Sequence, residues 1–291
     1  LGNRLLPAFE TKTFIPFGTV NLLHGVPAKE TKIASTAGAG SLLVEFQILS
    51  YLSGDPRYGT AAYAATAALY DRRSPIGLLG KHINTETGHW SESMSGVGSN
   101  ADSFYEYLLK SYLLFRDNDL YLMFSSTYRY IYICIYCVLS LPSNLCKQHR
   151  KRVENLDAFW PGVETSLGYT STSAKQLNAF YSVWQDLGFL PEEFHQQQWQ
   201  AGKGALNGQY PLRPELIEST YHQYRSTGDR SWLAAGRTFL DSIEHFTRTD
   251  CGYASVATVK TMALEDSMPS YFLSETCKYH STHTLYGTPI H

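Results

Sequence analysis

Glu215 and Glu218 stand three residues apart behind Arg213-Pro214, in the run Tyr-Pro-Leu-Arg-Pro-Glu-Leu-Ile-Glu-Ser at 210–219. Three-residue spacing puts both carboxylates on one face of a helix. Pro214 suits a first helical turn, and acidic groups early in a helix suit its dipole. Arg213, just outside that helix, can hold a carboxylate through charge-assisted hydrogen bonds. Two more carboxylates occupy comparable places: Asp102 opens the run 102–110, and Glu192 follows Leu190-Pro191. Carboxylates in unlike environments can divide the roles of general acid and general base. Taken singly, these residues also fit capped surface helices, with Asp102 as a cap and Glu106 as a surface charge.

The elements around them are mostly helical. Leu42, Leu43, Phe46, Leu49 and Leu52 repeat at helical spacing, and an alanine-rich helix is expected over 58–72. Further helices are expected over 102–110, 173–187, 215–227, 232–247 and 271–279, with short hairpins near 77–90 and 251–260. Residues 1–36 read as irregular, and Ala-Phe-Trp-Pro-Gly at 158–162 and the glutamine-rich stretch 196–200 as connections. The segment 128–141 shows no clear helical face and is too short for a bilayer, so 125–150 is expected to pack poorly. Ser53-Gly54-Asp55 and Thr227-Gly228-Asp229 each join two helices, and each second helix leads to a glycine-led hairpin. Repeated units of this kind stack in a superhelix or close into an α/α toroid, whose loops converge at one end.

Composition narrows the possible partners. The 291 residues carry a net charge of −2 with no extended basic run, which argues against nucleic acid. The 21 Tyr, 14 Phe and 5 Trp permit sugar stacking but also simply fill cores. The five cysteines form no framework. Cys134 and Cys137 have metal or redox spacing without a second pair or suitably placed histidines, so no metal site is assigned to them. Gly96-Val97-Gly98 lacks the strand and third glycine of a nucleotide fingerprint. The chain opens on Leu1 without a signal peptide or initiator methionine, and is expected to be the interior of a longer protein.

Several long motifs resemble the family 47 glycoside hydrolases, the α-1,2-mannosidases, and within them the ER degradation-enhancing α-mannosidase-like group. They are LGNRLLPAFE at 1–10, VNLLHGV at 20–26, TAGAGSLLVEF at 36–46, ADSFYEYLLKSY at 101–112, AFWPG at 158–162, YPLRPELIESTY at 210–221 and FLSETCKY at 272–279. The resemblance implies an all-α fold, an (α/α)7 barrel present here in part over 1–279, with an atypical segment at 125–153 and a divergent tail at 280–291. It also implies an inverting mechanism, in which one group protonates the leaving oxygen and another activates water. By motif, Asp102, Glu192 and Glu215 are the catalytic-site carboxylates, with Glu215 as base or stabiliser. Arg213 and Glu218 are the substrate contacts. Implied too are calcium, mannose-rich N-glycans on misfolded glycoproteins, ER quality-control partners and residence in the endoplasmic reticulum.

Departures from the family pattern point to impaired catalysis. The Phe-Glu-Ser/Thr-x-Ile-Arg motif, which bears a glutamate often assigned as the acid, is not in this sequence. Pro269 stands in Met-Pro-Ser-Tyr at 268–271, where the resemblance leads one to expect glutamate. The calcium-ligating threonine is also missing. The alternative expectation is a lectin-like protein that holds mannose-rich glycans without cleaving them.

Overall fold

Helix-forming runs closed by left-handed residues shape both halves of the chain. A computed structural model of the protein describes residues 1–136, 152–204 and 206–281, excepting the side chains of 133–136. It divides into two compact units, Leu1–Lys147 and Gln148–His291.

In the first unit, α1 (Gly2–Leu5) and a 3-10 turn precede β1 (Ile33–Ser35) and α2 (Thr36–Gly40). Then come α3 (Leu43–Ser53), α4 (Arg57–Asp71), β2 (His82–Asn84), β3 (Trp90–Glu92), α5 (Asp102–Phe115) and α6 (Asn118–Tyr136). The helix α3 ends on Gly54 at φ +72°, whose N–H returns to the Ser50 carbonyl. Asp55 Oδ1 then accepts from the Arg57 N–H, opening α4. Ala62, Ala65, Ala68 and Leu69 bury one face of α4, as its alanine content leads one to expect. The expected hairpin forms as β2 against β3, with β1 added on the other edge, all antiparallel. Its turn is closed by the Gly88 N–H on the Asn84 carbonyl.

The helix α6 takes in 128–136 of the stretch read as lacking a helical face, and its described side chains show a buried stripe as far as Ile131. Leu120, Phe124, Thr127 and Ile131 are buried, and their three- and four-residue steps trace one helical face. Tyrosines off that face hid the stripe: Tyr130 and Tyr132 are 38% and 42% exposed. The rest of the segment expected to pack poorly, 137–150, lies outside the described residues, as does the tail from 282.

The second unit starts with β4 (Arg152–Glu154), then α7 (Trp160–Ser166) and α8 (Thr170–Leu187). Residues 158–162, expected as a connection, instead lead into and begin α7, because Pro161 falls in the first turn, where its missing N–H costs nothing. Next come β5 (Glu193–His195) and β6 (Gln200–Ala201), which with β4 form a three-stranded antiparallel sheet. The glutamine-rich stretch is thus the tip of a hairpin. The helices α9 (Glu215–Thr227) and α10 (Ser231–Phe246) follow, joined at Gly228 with φ +70°. Two short ribbons, β7 (Arg248–Thr249) with β8 (Gly252–Tyr253) and β9 (Ser255–Thr258) with β10 (Ala263–Glu265), lead to a π-helical turn at Phe272–Thr276. The core of this unit gathers Trp184, Phe189, Tyr210, Leu216, Ile217, Phe239 and Phe272.

Candidate active site

The entrance to α9 is built on a fixed backbone. Tyr210 exchanges hydrogen bonds with Val256 in both directions at 2.9 Å, and its ring stacks on Phe189 at 4.5 Å. The chain then crosses Pro211 and Leu212, the latter at φ +59°, before Pro214 starts the helix. Glu192 is anchored from both sides. Its N–H donates to the Gln209 carbonyl at 2.8 Å, and its own carbonyl accepts from the Asn155 N–H at 3.0 Å.

Arg213 and Glu192 meet in a two-pronged pair. The guanidinium donates from Nε to Glu192 Oε1 at 2.8 Å and from Nη2 to Oε2 at 3.1 Å. The side chains are only 22% and 24% exposed, so this is not an ordinary surface ion pair. Burial opposes the charge on Arg213, but the bonds to Glu192 and the nearby Glu215 outweigh it and hold the guanidinium firmly protonated. Its carbon lies 5.4 Å from the Tyr271 ring centre. Burial, eased by Arg213 and reinforced by Glu215 and Glu192, pushes the Tyr271 phenol up to about 12.

Glu215 is the first residue of α9. Its Oε2 is sealed from solvent and has no hydrogen-bond partner. Burial pushes this carboxyl up to about 8. Arg213 and the backbone N–H at the helix start pull it back, while Glu218 and Glu192 push it further up. Near neutral pH the group is mostly a carboxylic acid, able to donate a hydrogen bond. Glu218, on the same face, is buried, and its Oε1 accepts from the Tyr279 hydroxyl at 2.6 Å. His222 Nε2 lies 3.6 Å from the same oxygen.

The second unit therefore brings together four of the five residues singled out in the sequence: Glu192, Arg213, Glu215 and Glu218. Asp102 belongs to the first unit, where it opens α5 with its N–H on the Gly98 carbonyl at 3.0 Å. Its Oδ1 accepts from the adjacent Ser103 N–H at 2.8 Å. Ala101, not Asp102, is the N-cap, so the simple capping reading of Asp102 does not hold. Glu106 pairs with Lys110 one turn on at 2.6 Å, but its own side chain is only 18% exposed, so the surface-charge reading does not describe it. Sequence reasoning missed the hydroxyls of Tyr210, Tyr271, Thr276 and Tyr279 around the α9 entrance. The partners of Tyr271, Thr276 and Tyr279 are far away in sequence, and no local pattern marks them; the Tyr210 hydroxyl bonds locally, to the Arg213 carbonyl.

Among the described residues, no three His, Cys, Asp or Glu side chains are grouped to hold a metal ion. Also among the described residues, no helix is long and apolar enough to cross a membrane.

The sequence matches Glycosyl hydrolase family 47 over residues 1–281. It is 42% identical to "Alpha-mannosidase I MNS4" of Arabidopsis thaliana, covering 96% of this chain and 45% of that protein. It is 38% identical to "ER degradation-enhancing alpha-mannosidase-like protein 2" of Homo sapiens, covering 95% of this chain and 48% of that protein. The chain thus spans about half the length of these relatives. Its structure superposes on the alpha-1,2-mannosidase from Trichoderma reesei with a TM-score of 0.80 at 24% identity, covering 97% of this chain and 67% of the other. At that identity the likeness speaks for the fold, and it bears out the incomplete α/α barrel expected from the sequence. With a match that runs from the first residue past the end of the π-helical turn, this chain belongs to glycosyl hydrolase family 47.

Proposed function

We propose that the chain is the mannoside-recognising part of an α-1,2-mannosidase-like protein. It acts on mannose-rich N-glycans of misfolded glycoproteins during their degradation from the endoplasmic reticulum. The observation that carries this reading is the α9 entrance, where an Arg213–Glu192 fork stands beside Glu215, whose Oε2 is buried without a hydrogen-bond partner. Charged and polar groups fixed in this way suit a polyhydroxyl ligand, whose hydroxyls both donate and accept. The names of the relatives supply the sugar and the compartment.

Turnover by this chain is impaired. In an inverting hydrolysis a base must take a proton from water while an acid serves the leaving oxygen. Burial raises Glu215 to about 8, so at neutral pH its ionised form, the one able to act as base, is the minor fraction and grows as pH approaches 8. Pro269 supplies no carboxylate where the family resemblance leads one to expect one, and its carbonyl instead accepts from the Phe272 N–H at 3.0 Å. One acid–base group is typically worth ~10²–10⁴-fold in rate, so its loss leaves recognition without efficient cleavage.

Pro269 also favours the second reading, a lectin-like binder that does not hydrolyse. The two readings part on one experiment with the whole chain: mannose-rich glycopeptides are captured and the released sugar is measured, with Glu215→Gln as control. Capture with little mannose release is expected from the parent. Release by the parent that Glu215→Gln abolishes would overturn the impairment. Failure to capture the glycopeptides at all would overturn the glycan assignment.

A further inference from the structure

Residues 211–214 lie in no strand or helix, yet their carbonyls are all accounted for. A backbone carbonyl withdrawn from water needs a donor. That of Pro214 accepts from the Glu218 N–H at 2.8 Å as α9 begins. The other three accept from side-chain hydroxyls. Tyr271 donates to the Pro211 carbonyl at 2.8 Å, Thr276 to Leu212 at 2.7 Å and Tyr210 to Arg213 at 3.0 Å. Two of these donors flank or close the π-helical turn at Phe272–Thr276.

Their spacing explains the turn. Tyr271 and Thr276 are five residues apart, and on an α-helix, at roughly 100° per residue, such positions diverge by about 140°. A turn bonded from i to i+5 brings them back toward the same side. The Cys277 N–H reaches the Phe272 carbonyl in that pattern. The two hydroxyls can then meet two consecutive carbonyls, Pro211 and Leu212. The second belongs to a leucine in the left-handed region, a conformation that persists only when its surroundings impose it. Arg213 comes next in the chain.

We propose that the π-helical turn is a clamp, and that Tyr271 and Thr276 are positioning residues. Their hydroxyls hold the backbone at Pro211 and Leu212 so that the Arg213 guanidinium presents its fork to Glu192. Only the purpose of this clamp, orienting the site for a sugar, rests on the glycan reading above; the clamp itself rests on the hydrogen bonds.

The test uses the full chain with ¹⁵N-labelled arginine and follows exchange of the Arg213 Hε proton with water, which reports its bond to Glu192. Losing a hydrogen-bonded hold of this kind should speed exchange on the order of tenfold in Thr276→Val, and more when Tyr271→Phe is added. Thr276→Ser, which keeps the hydroxyl, should restore the parent rate. Binding of α-1,2-mannobiose should weaken in step. An unchanged Hε rate in a folded Thr276→Val chain overturns the clamp, as does failure of Thr276→Ser to rescue. If the double variant does not fold, the single variant and its serine rescue decide. If exchange responds as expected but the parent binds no mannobiose, the clamp stands and the glycan reading falls.

Discussion

The two ends of α9 solve the same problem by different means. At its exit, Gly228 turns left-handed and returns its N–H to the Tyr224 carbonyl, and Asp229 Oδ1 accepts from the Ser231 N–H to open α10. Every partner lies within a few residues. The same device joins α3 to α4 through Gly54 and Asp55. At the entrance, Arg213 reaches back 21 residues to Glu192, while Pro211 and Leu212 are held by hydroxyls 60 and 64 residues ahead. Ends built from local partners serve any helical hairpin. An end whose partners come from such distant stretches, with a left-handed leucine and a buried carboxyl oxygen without a partner, is held for something other than ending a helix.

The largest expected effect tests whether the entrance is the costlier end to disturb. Arg213→Ala leaves Glu192 half-buried without its fork. Losing one partner of a buried pair costs about 3–5 kcal/mol, and the residual exposure here lowers that to about 2–3 kcal/mol. Urea unfolding should show it. A loss below 1 kcal/mol would make the entrance no more demanding than the exit.

The next test uses pH. Glu215 has its folded pKa raised from 4.5 to about 8, so between those values the folded chain holds a proton that the unfolded chain has released. Its contribution is complete below about 4.5 and is lost as pH rises through 8. Stability should therefore fall on raising pH from 5 to 8, by up to about 1.4 kcal/mol per unit. Glu215→Gln should flatten this part of the profile. A slope that survives the substitution would assign it to another group.

The smallest effect belongs to the exit. A Cβ on Gly228 would meet nothing within 4 Å, so Gly228→Ala pays only for its left-handed backbone at φ +70°. About 1 kcal/mol is expected by urea unfolding, and the same from Gly54→Ala in the first unit. A marked difference between the two would mean that the turns are not equivalent.

This contrast also explains what could be read from the sequence. The exit, the matching turn at Gly54, the helices and the hairpin turn at Asn84 are written in short-range signals. Glu192, Arg213, Glu215 and Glu218 could be picked out because a helix start and a motif flagged them. Tyr271 and Thr276 could not, because a π-helical turn has no local code in those residues, and their purpose lies in carbonyls some sixty positions away. The α6 stripe was obscured by tyrosines such as Tyr130 and Tyr132 off that face. The strand at Gln200–Ala201 was obscured by glutamines, which carry no alternating pattern.

One contact in the first unit bears on Asp102. A Cβ built on Gly40 would sit 2.3 Å from Cδ2 of Phe104, two residues beyond Asp102. The bare glycine in α2 thus acts as a spacing gauge for the start of α5. Even a single methyl at position 40 must push the Phe104 ring aside or lift the turn that carries Asp102. The placement of that aspartate is thus gauged by an atom that the chain leaves out.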